Sequence, residues 1–262
     1  MNEDLKRKLL RLADLYEVSD FTKEDPSQFL RWYKPGAGGV EGSAGLADVE
    51  AAAFISAMLA FGSRKQFIPK ITQILQTADR SSGSIGKWLE TGAYKKDFPS
   101  GQNKFYRFYS YDDMQVFFGE LAEILSEAGS LGEYFRIRWE DQTGQTRALH
   151  EIVAAAFPKS AIVPKGKSSA NKRVHMFLRW MVRRNSPVDL GLWQWADPAY
   201  LLIPLDVHVM QEAAKLGLIP ENAAASKKTA ESLTAALAEV FPGDPSRGDY
   251  ALFGLGVDSD NK

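Results

Sequence analysis

Lys172 and Asp206 are the residues of this chain whose types and settings invite chemistry. Lys172 falls in the first turn of a predicted helix, just after serines suited to capping it, Ser168 and Ser169. Asp206 closes an apolar run, Leu201 to Leu205, where a carboxylate is costly to bury unless it is paired or used. A lysine amine becomes a nucleophile once its proton is gone, and a fixed carboxylate stabilises positive charge developing on a substrate. The two are expected to meet across one cleft between two helical lobes.

The elements that must position them are helices. After Lys172, the residues Val174, Phe177, Leu178 and Met181 recur at the spacing of a buried stripe. Lys172, Met176, Arg179 and Arg183 share a different, largely cationic face. From Ile152 to Val188 there are eight Lys or Arg residues and no acidic one. Because that run coincides with the helix start, it reads as a face for an anion rather than a solvated surface. On this reading Glu151 to Phe157 ends one helix, PKSAIVPKGKSS turns, and Asn171 to Arg184 is the second helix of a hairpin. First-turn N–H groups, with Lys165 and Lys167, would then hold a phosphate of a DNA backbone. A phosphate-loop hydrolase competes for the GKS at Gly166 to Ser168. That loop requires a glycine where Ala161 stands, and a strand where Pro158 and Pro164 flank a short apolar segment.

Composition sets outer limits. The chain has 262 residues, 45% hydrophobic and 25% charged, enough for one large domain or two small ones. It contains no cysteine, which excludes disulfides, thiolate catalysis and cysteine-bound clusters. His150, His175 and His208 have no close ligand spacing, so no metal is expected. With 32 basic and 33 acidic residues the net charge is −1, which speaks against a protein that coats nucleic acid without specificity. The charged start, MNEDLKRKLL, does not read as a signal peptide, and no apolar run is long enough to span a bilayer. A cytoplasmic protein is expected.

Along the chain, residues 3–17 read as a short amphipathic helix with Leu5, Leu9, Leu12 and Leu15 inward, and a brief element follows near Phe29 to Tyr33. GAGGVEGSAG, 36–45, reads as a mobile loop. Asp48 is expected to start an apolar central helix stopped by Gly62. Ser63, Arg64, Lys65 and Gln66 follow as polar residues that either face a substrate or lie on plain surface. A helix covers Phe67 to Thr77, with Pro69 in its first turn. The aromatic and basic stretch 83–111 reads as core side chains with snorkelling stems, with base stacking as the alternative. Asp112 or Asp113 caps a helix to Glu127 with Val116, Phe117, Leu121, Ile124 and Leu125 inside. One or two helices span 131–157. Val207 to Leu216 is a helix ended by Gly217, Ser226 caps another, and Pro245 opens a last element placing Asp249 and Phe253 one turn apart. The pattern is all-α, without a strand long enough to anchor a sheet.

ANKRVHMFLRW followed by IPLDVHV resembles the hairpin lysine and the later carboxylate segment of the helix-hairpin-helix DNA glycosylases, over residues 48–256. The likeness is to the archaeal 8-oxoguanine glycosylase branch and a related bacterial group. The hairpin here, PKGKSSAN, is longer than the L-P-G-x-G usual in that superfamily. The resemblance implies a two-lobed helical protein: 1–47 an N-terminal segment, 48–150 a first lobe, and 151–262 the hairpin and catalytic lobe. It further implies Lys172 as amine nucleophile and Asp206 as essential carboxylate. Asp249, Phe253, Met176 and Gln66 would contact a flipped base, with Trp180, Trp193 and Trp195 further aromatic candidates. Lys165, Gly166, Lys167, Ser168, Ser169 and Arg173 would contact phosphate. The implied activity is excision of an oxidised purine followed by strand cleavage. The partner would be double-stranded DNA with a damaged base or abasic site, bound by a monomer that uses no cofactor and no membrane. The alternative is a helical nucleic-acid-binding or scaffold protein that keeps the fold without the chemistry.

Overall fold

A computed structural model describes residues 1–33, 43–141 and 148–260. In chain order the helices are α1 Glu3–Tyr16, α2 Ser43–Leu59, α3 Arg64–Ser82, α4 Ile85–Glu90 and α5 Tyr94–Asp97. A small antiparallel hairpin follows, β1 Lys104–Tyr106 and β2 Tyr109–Ser110. Then come α6 Tyr111–Ala128, α7 Leu131–Glu140, α8 Leu149–Ala155 and α9 Lys172–Val182. The last are α10 Val207–Lys215, α11 Lys227–Ala238 and α12 Gly248–Asp260. The protein is mostly helical, and the hairpin is the one sheet among the described residues. No helix among them is long and apolar enough to cross a membrane.

The chain divides into two compact units, residues 24–164 and residues 1–23 with 165–262. The boundaries therefore differ from those the sequence suggested. The first helix joins the C-terminal unit, and α8 and α9 fall in different units, with no helical turn assigned in 157–171.

The 24–164 unit is built around α2, in which Ala51 to Leu59 are all buried. An apolar surface on every side leaves such a helix only a central place. It starts at Ser43 rather than Asp48, because the Asp48 carboxylate reaches across to the Gly86 N–H at 2.6 Å instead of capping its own helix. Aromatic rings close around it: Phe54 stacks on Phe157 at 4.7 Å, and Trp88 meets Phe118 edge-on at 4.9 Å. Thus most of the 83–111 aromatics are core. Residues 43–45 of the glycine-rich segment form the first turn of α2, and 36–42 lie outside the described residues. α3 begins at Arg64, so Pro69 sits inside that helix and not in its first turn. Ser110, not Asp112, caps α6, with Asp113 completing a capping box. Val116 faces outward at 38% exposure.

In the other unit α1 packs along α12, and α10 packs on α12 as well. Leu9 and Ala13 are fully buried, while Leu15 is 62% exposed, contrary to expectation. The inward stripe continues at Tyr16, whose ring lies so close to Gly254 that a Cβ there would strike it. Leu205, Val209, Leu233, Leu237 and Leu252 fill the core beneath.

Candidate active site

α9 begins at Lys172 in an unexpected way. The residue before it, Asn171, adopts φ 43° and ψ 39°, a left-handed conformation Asn tolerates better than most residues, and no side chain caps the helix. The serines expected to cap it are used elsewhere: Ser169 bridges to Ser226, and the Ser168 carbonyl accepts from Lys227 N at 2.8 Å. Asn171 Nδ2 donates to the Gly166 carbonyl at 2.8 Å, closing the GKSSAN segment on itself. A Cβ at Gly166 would lie 2.7 Å from that of Ser169, so the tight loop requires glycine there. Asn171 Oδ1 is buried without a hydrogen-bond partner, directly beside Lys172.

Asp206 is fixed by its own helix. As N-cap of α10 it accepts the Val209 N–H at 2.9 Å through Oδ1, which leaves Oδ2 free to turn outward. That second oxygen accepts from Lys172 Nζ at 2.8 Å. The Asp206 side chain is 12% exposed and that of Lys172 34%. A largely covered carboxylate thus meets a partly exposed amine. Both side chains come from the same compact unit.

Phe253 lies beside this pair, its ring centroid 6.0 Å from Lys172 Nζ. Edge contacts with Phe21 at 5.7 Å and His208 at 6.0 Å hold the ring in place. Asp249, one turn earlier on α12, is buried and accepts a charge-assisted hydrogen bond from Arg179. Burial pushes its carboxyl up to about 7, with Arg179 and Lys172 pulling it down and Asp206 and Asp189 pushing it up.

The Arg179 and Arg183 positions correct the sequence reading most. Their part of the cationic face is not open to an external anion, since the two residues are 3% and 2% exposed and their charges are answered from within the protein. Arg183 reaches Glu17 at 2.9 Å and grips Asp244 at 2.8 Å, and it also pairs with Asp189. Arg179 pairs with Asp189 at 3.4 Å, and the Tyr250 hydroxyl donates to Asp189 at 2.9 Å. Both guanidiniums lie over the Tyr250 ring, at 4.4 and 5.3 Å. This network, which runs from the end of α1 through α9 to α12, supports Asp249 from behind. Its signal in the sequence is faint: Asp244 and Asp249 flank Arg247, yet they pair with Arg183 and Arg179 instead.

Met176 is buried, 6% exposed, one turn beyond Lys172. Trp180 and Trp193 are core residues, and Trp195 is half-buried, stacked on Trp193 at 5.5 Å. Lys165, Gly166, Lys167, Ser168 and Ser169 are exposed, and Arg173 is half-exposed. Gln66 is exposed in the first turn of α3, in the unit that does not carry Lys172.

The raised Asp249 carboxyl gives a pH prediction. Its folded pKa, about 7, exceeds the ordinary value of 3.8, so the folded state holds that proton more tightly. The associated stability is present below pH 4, declines as pH rises toward 7, and is gone above it. Asp249→Asn lacks this proton, so the stability difference between wild type and variant should shift against wild type over that interval. Urea unfolding at half-unit pH steps measures it, and a pH-independent difference would refute the assignment.

The fold and the pair define a helical protein with a lysine–carboxylate site seated at the starts of two helices. The chain belongs to the DUF2400 family, described as a protein of unknown function, whose family model matches residues 41–258. No curated protein and no solved structure matches it.

Proposed function

We propose that this protein is a DNA glycosylase with abasic-site lyase activity, acting on an oxidised purine, with 8-oxoguanine the favoured substrate. The observation that carries the reading is the 2.8 Å contact between a partly exposed Lys172 amine and a fixed, largely covered Asp206 carboxylate. Breaking an N-glycosidic bond leaves positive charge on the sugar, which a carboxylate near C1′ stabilises. The amine gives up its proton, with Asp206 Oδ2 placed to take it, and attacks C1′. The C1′–N bond breaks and the base leaves with its electron pair, taking up a proton. The sugar ring then opens: C1′=Nζ forms as the C1′–O4′ bond breaks and O4′ is protonated. Loss of a C2′ proton expels the 3′ phosphate and cuts the strand.

In this reading the base leaves the duplex before reaction, at a cost of a few kcal/mol. Phe253 offers a ring to stack on it, and Asp249, backed by Arg179, offers a carboxyl to its edge. Oxidation turns N7 of guanine from acceptor to donor, which suits such a group. The exposed segment 165–169 would contact backbone phosphate, in the role the family resemblance gives to a helix-hairpin-helix.

The test is a duplex with a single 8-oxoguanine, scored separately for base release and strand scission. Wild type is expected to perform both, and Lys172→Gln to lose scission. Binding without either reaction would leave a helical nucleic-acid-binding module and end the enzymatic reading.

A further inference from the structure

The β1–β2 hairpin turns through two residues, Arg107 and Phe108, and both are exposed. Phe108 is 58% exposed, although the rings around it are mostly core: Tyr109 at 4.5 Å and Phe61 at 5.4 Å sit beneath, and Tyr109 is itself only 4% exposed. Phe108 is therefore a ring mounted on a rigid aromatic base and left open on its outer side. Arg107 adopts φ 50°, a left-handed conformation where glycine or asparagine is usual in a two-residue turn. A backbone cost tolerated at a non-glycine residue points to a use for its side chain. The Arg107 guanidinium lies over the Phe61 ring, 5.7 Å from its centroid, and the Tyr106 hydroxyl donates to the Phe61 carbonyl. These contacts tie the hairpin to the turn between α2 and α3.

The stretches that form the hairpin and the start of α3 carry cations and no acidic residue. Lys104 is exposed on β1, Lys65 is exposed on α3, and Lys70 sits over Phe105 at 4.6 Å. No acidic residue occurs between Asp97 and Asp112, nor between Glu50 and Asp79. Asp97 is engaged by the Trp88 indole, and Asp112 by Gly101 and Gln102 at the far end of the hairpin. An open ring set among cations matches a chain of phosphates that carries flat bases, and the open ring has no use for a smooth polyanion.

We propose that the Arg107–Phe108 tip is a base-stacking contact for DNA with unstacked bases, with Phe108 against a base and Lys104 and Arg107 against flanking phosphates. The choice of DNA as the nucleic acid rests on the glycosylase reading; the chemistry of the surface does not. It is a second nucleic-acid contact, in the 24–164 unit, whereas Lys172 and Asp206 lie in the other.

The test uses the full chain and a single-stranded DNA oligonucleotide containing 2-aminopurine, whose fluorescence is quenched on stacking. Wild type is expected to bind and quench. Phe108→Ala should bind about tenfold more weakly, near the lower end of what one base–aromatic stack contributes, and lose the quench. Phe108→Trp should restore both. Lys104→Ala with Arg107→Gly, a turn-compatible change, should flatten the salt dependence by about one unit of slope per cation. Phe108→Ala and Phe108→Trp should unfold at the wild-type temperature, since that side chain is exposed. No binding by wild type, or unchanged affinity and quench in Phe108→Ala, would overturn the proposal. If Phe108 matters while Lys172 forms no adduct with abasic DNA, this surface stands and the glycosylase reading falls. An adduct at Lys172 with an inert Phe108 means the reverse.

Discussion

Asp206→Asn is expected to fold normally and to lose excision by about a hundred- to a thousandfold, the range for removing one preorganised charge-stabilising group. The expectation follows from the division of labour between the two oxygens. Oδ1 accepts the Val209 N–H at 2.9 Å as an N-cap, and asparagine caps a helix as well as aspartate does. Oδ2, at 2.8 Å from Lys172, is where charge matters, and an amide cannot replace it. Asp206→Ala should add a loss of about 1 kcal/mol in stability from the missing cap. Single-turnover base release, read beside thermal unfolding of both variants, separates the effects. Equal excision by wild type and Asp206→Asn would remove the carboxylate from the mechanism.

Arg183→Ala should produce the largest loss of stability. The side chain is 2% exposed and answers Glu17, Asp189 and Asp244, which are 6%, 0% and 30% exposed. Deleting it leaves buried carboxylates without a counter-charge, at a cost of about 3–5 kcal/mol. For a protein of this size that lowers the unfolding temperature by about 10 °C or more. Arg183→Lys should recover little, because a point charge cannot grip Asp244 through two nitrogens while reaching Asp189 and Glu17. Burial alone would raise the Glu17 carboxyl, yet Arg183 and Arg247 hold it below the ordinary 4.5. Its stabilisation is present above that value and is lost as pH falls through the lowered one. An Arg183→Ala protein that melts with wild type would show that the network carries no net stability.

What could be read from the sequence was local. Ser226 announced α11, Asp206 stood at the start of α10, and the apolar stripe of α9 lay where the spacing placed it. The Lys172–Asp206 pairing was inferred because each stood at the edge of an apolar element. The misreadings share one cause, which is that a distant partner decided the outcome. Asp48 resembled a helix cap but was claimed by Gly86, and the serines before Lys172 were claimed by the Ser226 loop. Leu15 gave way to Tyr16 because Gly254, far along the chain, makes room for that ring. Arg179 and Arg183 looked like part of a face for an external anion because Asp249 and Asp244, which answer them, lie 70 and 61 positions away. Periodicity carries no record of such partners.

The central claim is that Lys172 is the nucleophile. Borohydride reduction during incubation with an abasic duplex traps a lysine Schiff base as a covalent protein–DNA adduct. Wild type is expected to form that adduct, with peptide mapping placing it on Lys172, and Lys172→Ala to form none. No adduct in wild type, or an adduct that persists unchanged in Lys172→Ala, would contradict the account.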